Sequence, residues 1–290
     1  MRNDGTARPV LKWAGGKSKL VASICALLPD KIDTYFEPFV GGAAVFFALA
    51  RQGRCRQAVL SDRNPELVNV YQALQSDVDR VVTTLRKWQY DEDSYYHLRD
   101  EYTPTASVQR AARTIYLNKT GYNGLYRVNR SGQFNVPFGR HTNPTICDET
   151  NLRLVAACLS RVTLAVCDFE TICKRAQMGD AVYLDPPYMP VSDTAYFTSY
   201  DKHPFGLEEH KRLASVFADL AARHVVAVLS NSDTPATQDL YKNWSFKLLQ
   251  VPRAINSRAS NRGPVSELLV TNRGVNKGQS KRKRPPVELR

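Results

Sequence analysis

The chain has 290 residues, of which 43% are hydrophobic and 23% charged, ordinary values that exclude a disordered or collagen-like polymer. No apolar run approaches the roughly 20 residues of a membrane helix, and the polar opening Met1-Arg2-Asn3-Asp4 is not that of a signal peptide, so a cytoplasmic protein is expected. Lys+Arg total 40 against Asp+Glu 28, a net charge of +12 that favours a polyanionic partner, nucleic acid first.

Short apolar runs alternate with helix-period segments, the signature of an α/β sheet. Thr34-Tyr35-Phe36 leads to Glu37, and Ala58-Val59-Leu60-Ser61 to Asp62. Val162 to Cys167 leads to Asp168, Ala181 to Leu184 to Asp185, and Val225 to Leu229 to Ser230-Asn231. Ligands of open parallel sheets sit beyond the carboxyl ends of the strands, so four strands ending in acids suggest a pocket. Leu67, Val70, Tyr71 and Leu74 recur at helical spacing, as do Leu213, Val216, Phe217 and Leu220, and both stripes read as packing faces. From about Arg63 to Cys147 the alternation stops. That stretch looks largely helical, then gives two strand-like arms around Ser131-Gly132 within Tyr126–Val136, and reads as a second domain inserted into the α/β core. Phe246–Val251 and Glu267–Thr271 read as a terminal hairpin. Beyond Asn272 the chain turns polar and basic, and disorder is expected.

Cys25, Cys55, Cys147, Cys158, Cys167 and Cys173 form no C-x-x-C pair, and no two histidines stand at ligand spacing, so no metal site is expected. Reduced, packed thiols in a reducing compartment are the plain reading.

Three motifs carry chemistry. Phe36 to Phe46 reads as strand, Gly41-Gly42 turn and helix, a place where backbone approaches a ligand closely. Asp62, at the end of the next strand, is placed to accept both hydroxyls of a ribose, which suits an adenosine-bearing cofactor. In Asp185-Pro186-Pro187-Tyr188, two prolines fix the turn and remove two N–H groups. The Asp185 carboxylate and Pro186 carbonyl can then both accept from one exocyclic amine. Tyr188 offers a flat face to an extruded base. Lys12-Trp13-Ala14-Gly15-Gly16-Lys17 lacks the spacing of a phosphate loop, and Trp13 suits an adenine ring or a sulfonium cation.

Taken in this order, these motifs resemble the DNA adenine methyltransferases of the alpha group, and more narrowly the Dam-type enzymes that methylate adenine in GATC. The resemblance extends through Tyr116–Arg127 and Gly132–Arg140, and covers roughly residues 9 to 272. It implies an S-adenosylmethionine-dependent methyltransferase sheet of Rossmann-like type, with an inserted, mainly helical target-recognition domain that carries a β-hairpin. The expected division is residues 1–62 with 148–272 for catalysis, 63–147 for DNA recognition, and 273–290 as a basic tail. S-adenosylmethionine is the implied cofactor, held by Trp13, Lys17, Asp62 and Asp185, with Glu37, Asp168 and Phe169 nearby. Asp185, Pro186, Pro187 and Tyr188 are the implied catalytic set. Tyr122, Leu125 and Arg127 would enter the DNA and Lys12 would add a base contact, with Asn123, Pro137, Arg140 and His141 also on the DNA side. His141 stands where some relatives carry Tyr beside the flipped base.

The expected partner is double-stranded DNA, with no membrane and no obligatory protein partner, in a bacterial or phage-encoded enzyme. The rival readings are a methyltransferase acting on RNA or a protein glutamine, which commonly has Asn before Pro-Pro-Tyr, a cytosine-amine methyltransferase, and a non-catalytic DNA-binding protein.

Overall fold

A computed structural model describes residues 5–189, 205–252 and 264–274. The expected basic tail beyond residue 274 and the loop between the last two strands lie outside the described residues.

Seven strands form one sheet in the order β3-β2-β1-β4-β5-β7-β6. They are β1 (Ile32–Glu37), β2 (Cys55–Asp62), β3 (Val162–Val166), β4 (Ala181–Leu184), β5 (Val226–Ser232), β6 (Ser245–Pro252) and β7 (Pro264–Thr271). The first five pair in parallel; β7 lies antiparallel between β5 and β6. This is the Rossmann-like methyltransferase sheet that the motifs lead one to expect. Most strand boundaries differ from the sequence reading by a few residues, and three of the differences have a visible cause. The third strand stops at Val166, one residue short, and Cys167 instead donates its N–H to the Asp62 carbonyl. The fifth runs on through Ser230 and Asn231 to Ser232 because β7 pairs with it that far, Ser232 against Glu267. The same ladder starts β7 at Pro264, opposite Pro252 of β6.

Side chains alternate across the strands with period two. Tyr35, Leu60, Tyr183, Val228 and Leu269 join one core, whereas Phe36, Val59, Leu184, Leu229 and Leu268 join another on the opposite face. The first core is covered by α1 (Val21–Leu27), α2 (Ala44–Arg51), α3 (Pro65–Leu85), α5 (Ser107–Thr120) and α6 (Glu149–Leu159), and the short α4 (Glu92–Tyr96) adds Tyr95 to it. The second lies under α7 (Phe169–Cys173), α8 (Leu207–Ala222) and α9 (Pro235–Leu240). Both helical stripes read from the sequence are packing faces: Leu67, Val70, Tyr71 and Leu74 are fully buried on α3, and Leu213, Phe217 and Leu220 on α8. Each such side chain contributes about 1.5–3 kcal/mol of burial. The start of α3 is fixed locally. Pro65 opens it, and the Asn64 side chain accepts from the N–H groups of Glu66 and Leu67.

Between Thr120 and Cys147 the chain is mostly irregular. The two strand-like arms expected there meet at only two isolated antiparallel pairings, Val128 with Phe134 and Gly121 with Phe138. The Asn129 carboxamide oxygen accepts from the N–H groups of both Ser131 and Gln133, which closes a tight turn between the arms, and the backbone bonds Asn129 N–H to Gln133 and Asn135 N–H to Arg127 join them beside it.

Candidate active site

Parallel strands bring their carboxyl ends to one edge of the sheet, so Glu37, Asp62, Asp168 and Asp185 become neighbours despite their separation in sequence. Glu37 ends β1 and is buried; the Tyr35 hydroxyl donates to its Oε2 at 3.0 Å. Burial pushes its carboxyl up to about 8, against the opposing pull of the Tyr35 hydrogen bond and with the Asp185 charge adding to the rise. Beyond β1 the chain turns through Gly41, whose φ of +46° is in the left-handed region. A Cβ at Gly41 would lie 3.0 Å from the Trp13 indole, so the indole packs directly on the turn. The turn is held from two sides. Tyr71 of α3 donates to the Gly41 carbonyl at 2.7 Å, and the Gly41 N–H donates to Asp62 Oδ2 at 3.3 Å. The other oxygen of Asp62 accepts from the Asn64 N–H at 3.0 Å.

Lys17 is 5% exposed and is the cation at the centre of this edge. Its Nζ lies 2.8 Å from Asp185 Oδ1, donates to the Gly15 carbonyl at 2.5 Å, and stands 4.7 Å above the centre of the Tyr188 ring. Ser230 of β5 donates its hydroxyl to the same Asp185 oxygen at 2.9 Å and lies 2.9 Å from the Tyr183 hydroxyl. Burial raises the Asp185 carboxyl, and the Lys17 ammonium and the Ser230 hydrogen bond oppose that rise. After Asp185, Pro186 is buried and Pro187 exposed. The Tyr188 hydroxyl donates to Glu267 Oε2 of β7 at 2.6 Å. Met189 is then fixed by the end of β5: its N–H donates to Asn231 Oδ1 at 3.1 Å, and its carbonyl accepts from the Ser232 hydroxyl at 2.8 Å. The Asp-Pro-Pro-Tyr turn is thereby anchored at both ends by β5 and β7.

Of the residues read as cofactor-binding, Trp13 and Asp62 both meet the Gly41 turn, Lys17 pairs with Asp185, and Glu37 is held by Tyr35 at the end of β1. Asp168 caps α7, accepting from the Glu170 N–H at 2.9 Å, and both of its oxygens meet the Arg212 guanidinium at 2.8 Å. Arg63 also pairs with it, at 2.5 Å. Although burial acts upward, these hydrogen bonds together hold its carboxyl at about 2. Phe169 is buried and stacks on Phe39, centres 5.4 Å apart.

The residues read as DNA-facing lie on the irregular segment and the N-terminal arm. Lys12, Tyr122, Asn123, Arg127, Pro137 and Arg140 are all exposed, whereas Leu125 and His141 are half-buried. Tyr122 donates its N–H to the Pro137 carbonyl at 2.8 Å, and His141 Nε2 lies 3.0 Å from the Gly121 carbonyl, so the outgoing and returning stretches are tied together. Arg127 is aimed across the turn at Asn135, donating from Nε to its Oδ1 at 2.8 Å and from Nη2 to its carbonyl at 2.9 Å. Arg140 pairs with Glu92 at 3.2 Å. The two groups of residues meet where the Trp13 and Tyr126 rings pack with centres 4.8 Å apart. Sequence reasoning assigned no role to Ser230, Asn231, Glu267 or Asn118. Ser230-Asn231 did carry a signal, as polar residues directly after an apolar run, whereas Glu267 had none.

Among the described residues no group of His, Cys, Asp or Glu is arranged to hold a metal ion, and no helix is long and apolar enough to cross a membrane. The family model for the D12 class N6 adenine-specific DNA methyltransferases matches residues 13–255. The chain is 39% identical to the type II methyltransferase M1.LlaDCHI of Lactococcus lactis subsp. cremoris, covering 94% of this chain and 98% of the relative. It is 38% identical to the type II methyltransferase M.MjaIII of Methanocaldococcus jannaschii, covering 91% and 99%. Against the DNA adenine methylase of Escherichia coli the identity is 36%, covering 90% and 94%.

Proposed function

Since the chain belongs to the D12 class N6 adenine-specific DNA methyltransferase family, we propose that it transfers a methyl group from S-adenosylmethionine to adenine N6 within GATC of duplex DNA, on a base turned out of the helix. The observation that carries this reading is the Asp185 carboxylate, with a cation already 2.8 Å from it and the Tyr188 ring beside that cation. An acceptor for its exocyclic amine and a flat, electron-rich face are what a target adenine has to find there.

The donor set fits the cofactor. Asp62 is held at the carboxyl end of β2 by the N–H groups of Gly41 and Asn64, where a carboxylate suits ribose hydroxyls. The Trp13 face suits a cationic group, and Glu37, Asp168 and Phe169 complete the edge. S-adenosylmethionine supplies, when bound, a methyl group on a sulfonium that leaves as a neutral thioether. The protein's tasks are then alignment and charge acceptance. Asp185 accepts a hydrogen bond from the N6 amine, with the Pro186 carbonyl as second acceptor, drawing the nitrogen lone pair out of conjugation with the ring. As positive charge develops on N6, Asp185 balances it and takes the proton. Tyr188 stacks on the extruded base and offsets part of the few kcal/mol spent on unstacking it. Ser230 and Glu267 keep carboxylate and ring in register.

We assign DNA recognition to residues 63–147, with Tyr122, Asn123, Leu125, Arg127, Pro137, Arg140 and His141 on the DNA side and Lys12 joining them from the arm. Residues 1–62 and 148–272 form the catalytic part. Plasmid DNA from cells that lack adenine methylation of their own, but produce this chain, tests the reading. It should resist an endonuclease blocked by N6-methyladenine in GATC and become sensitive to one that requires it. Unchanged digestion by both would reject it.

A further inference from the structure

Two asparagines hold the N-terminal arm by the same device. Asn151 of α6 accepts from the Arg8 N–H at 2.9 Å and donates to the Arg8 carbonyl at 3.1 Å. Asn118 of α5 accepts from the Lys12 N–H at 2.9 Å and donates to the Lys12 carbonyl at 3.0 Å. Each carboxamide thus pairs with one backbone residue as a neighbouring strand would. Asn118 does one thing more. Its Nδ2 also donates to the Gly124 carbonyl at 2.9 Å, and the side chain is 1% exposed. A carboxamide has two donor hydrogens and an acceptor oxygen; here both hydrogens and the oxygen are used, and they connect two separate stretches of chain. Those stretches are the arm that bears Lys12 and the Tyr122–Leu125 turn. Packing at the junction is close: a Cβ on Gly124 would lie 2.8 Å from Lys12 Cδ and 3.3 Å from Lys12 Cβ.

We propose that Asn118 is a positioning residue for target recognition, fixing the distance between Lys12 and the Tyr122–Leu125 turn so that both read the same site. The inference rests on the reading that these two elements face DNA. Asn118 touches neither DNA nor cofactor in this account. It acts by denying the two reading elements independent movement, and bidentate contacts to base edges lose discrimination once their donors can shift relative to one another. Asn151 holds the same arm without reaching the turn, which makes it the matched comparison.

The experiment compares wild type, Asn118→Ser, Gly124→Ala and Asn151→Ala. Methyl transfer is measured on a duplex with one GATC and on duplexes changed at a single base pair, alongside melting temperature and cofactor affinity. Wild-type preference for GATC tests the reading beneath the inference; if another site is preferred, the same ratios are taken on that site. Asn118→Ser should lower the preference for the cognate site at least tenfold with cofactor affinity unchanged. Gly124→Ala, which crowds Lys12 across the junction and puts a side chain at a φ of +63° while leaving Asn118 in place, should do the same. Asn151→Ala should lower the melting temperature and leave the preference at the wild-type value. Equal preferences in all four proteins overturn the proposal. So does an Asn118→Ser protein that loses activity by one factor on every duplex, since that is the behaviour of a residue that only supports the fold. Should Asn118→Ser not fold, Gly124→Ala decides by the same criteria.

Discussion

Lys17 and Asp185, 168 positions apart in the chain, are joined by an ion pair of 2.8 Å. The pair opposes the burial that raises the Asp185 pKa. A carboxyl that must accept a hydrogen bond works only when deprotonated, so activity is present above its pKa in the folded enzyme and falls as pH drops through it. Removing the cation moves that limb towards higher pH. For Lys17→Met, the acid limb of the kcat profile at saturating cofactor should shift to higher pH. A limb that stays in place would show that Lys17 does not set the charge of Asp185.

Asp185→Ala should abolish methyl transfer, with a loss of about a thousandfold or more, because it removes the charge acceptor of the transition state. The protein should stay folded and keep its DNA affinity, since phosphate contacts are made by other residues. Activity within tenfold of wild type at saturating cofactor contradicts the assignment.

Ser230→Ala tests the support beneath that carboxylate. It deletes the 2.9 Å hydrogen bond to Asp185 Oδ1 but leaves the Lys17 pair. A hydrogen bond to a charged group contributes about 1.5–3 kcal/mol, so kcat should fall about tenfold or somewhat more with little change in KM for DNA. A rise in KM at constant kcat would place Ser230 in binding instead.

Much of the catalytic edge is legible in the sequence because parallel strands covered on both faces read as short apolar runs, and an acid directly after such a run marks its carboxyl end. That is how Glu37, Asp62, Asp168 and Asp185 come into view. What holds them is not legible. Ser230 reaches Asp185 from 45 positions away and Glu267 reaches Tyr188 from 79, through pairings of β5 and β7 that no local pattern encodes. Read locally, Lys12–Lys17 is a weak loop motif, and its buried lysine acquires meaning only against β4. The recognition hairpin fails differently: its apolar alternation suggests strands, whereas Asn129 turns the backbone on itself first.

Glu37 gives the fold a pH dependence of definite sign. Its carboxyl stands at about 8 in the folded protein against an ordinary 4.5, so the folded state keeps a proton that the unfolded chain releases. The associated stability is complete below the ordinary value and is lost as pH rises towards and through 8, at up to about 1.4 kcal/mol per unit. Glu37→Gln stays neutral throughout. Its melting temperature relative to wild type should therefore climb between about pH 5 and pH 8. Parallel melting curves across that range would show that Glu37 is not held protonated.

Arg127 and Asn135 are paired across the recognition turn, which leaves the guanidinium exposed and oriented. If Arg127 reads a guanine edge, Arg127→Ala should cost about 1–3 kcal/mol of discrimination, roughly ten- to a hundredfold, between GATC and sites changed at one base pair. A phosphate contact would instead lower all sites by one factor and flatten the salt dependence.

The central claim is adenine-N6 methyl transfer in duplex DNA, and a single measurement addresses it. The purified chain is given S-adenosylmethionine with an isotopically labelled methyl group and a duplex containing one GATC, and the nucleosides are separated after complete digestion. Label confined to N6-methyl-2′-deoxyadenosine, and missing when that adenine is methylated beforehand on both strands, is the predicted result. Label on cytosine, or the same yield from the premethylated duplex, would contradict the account.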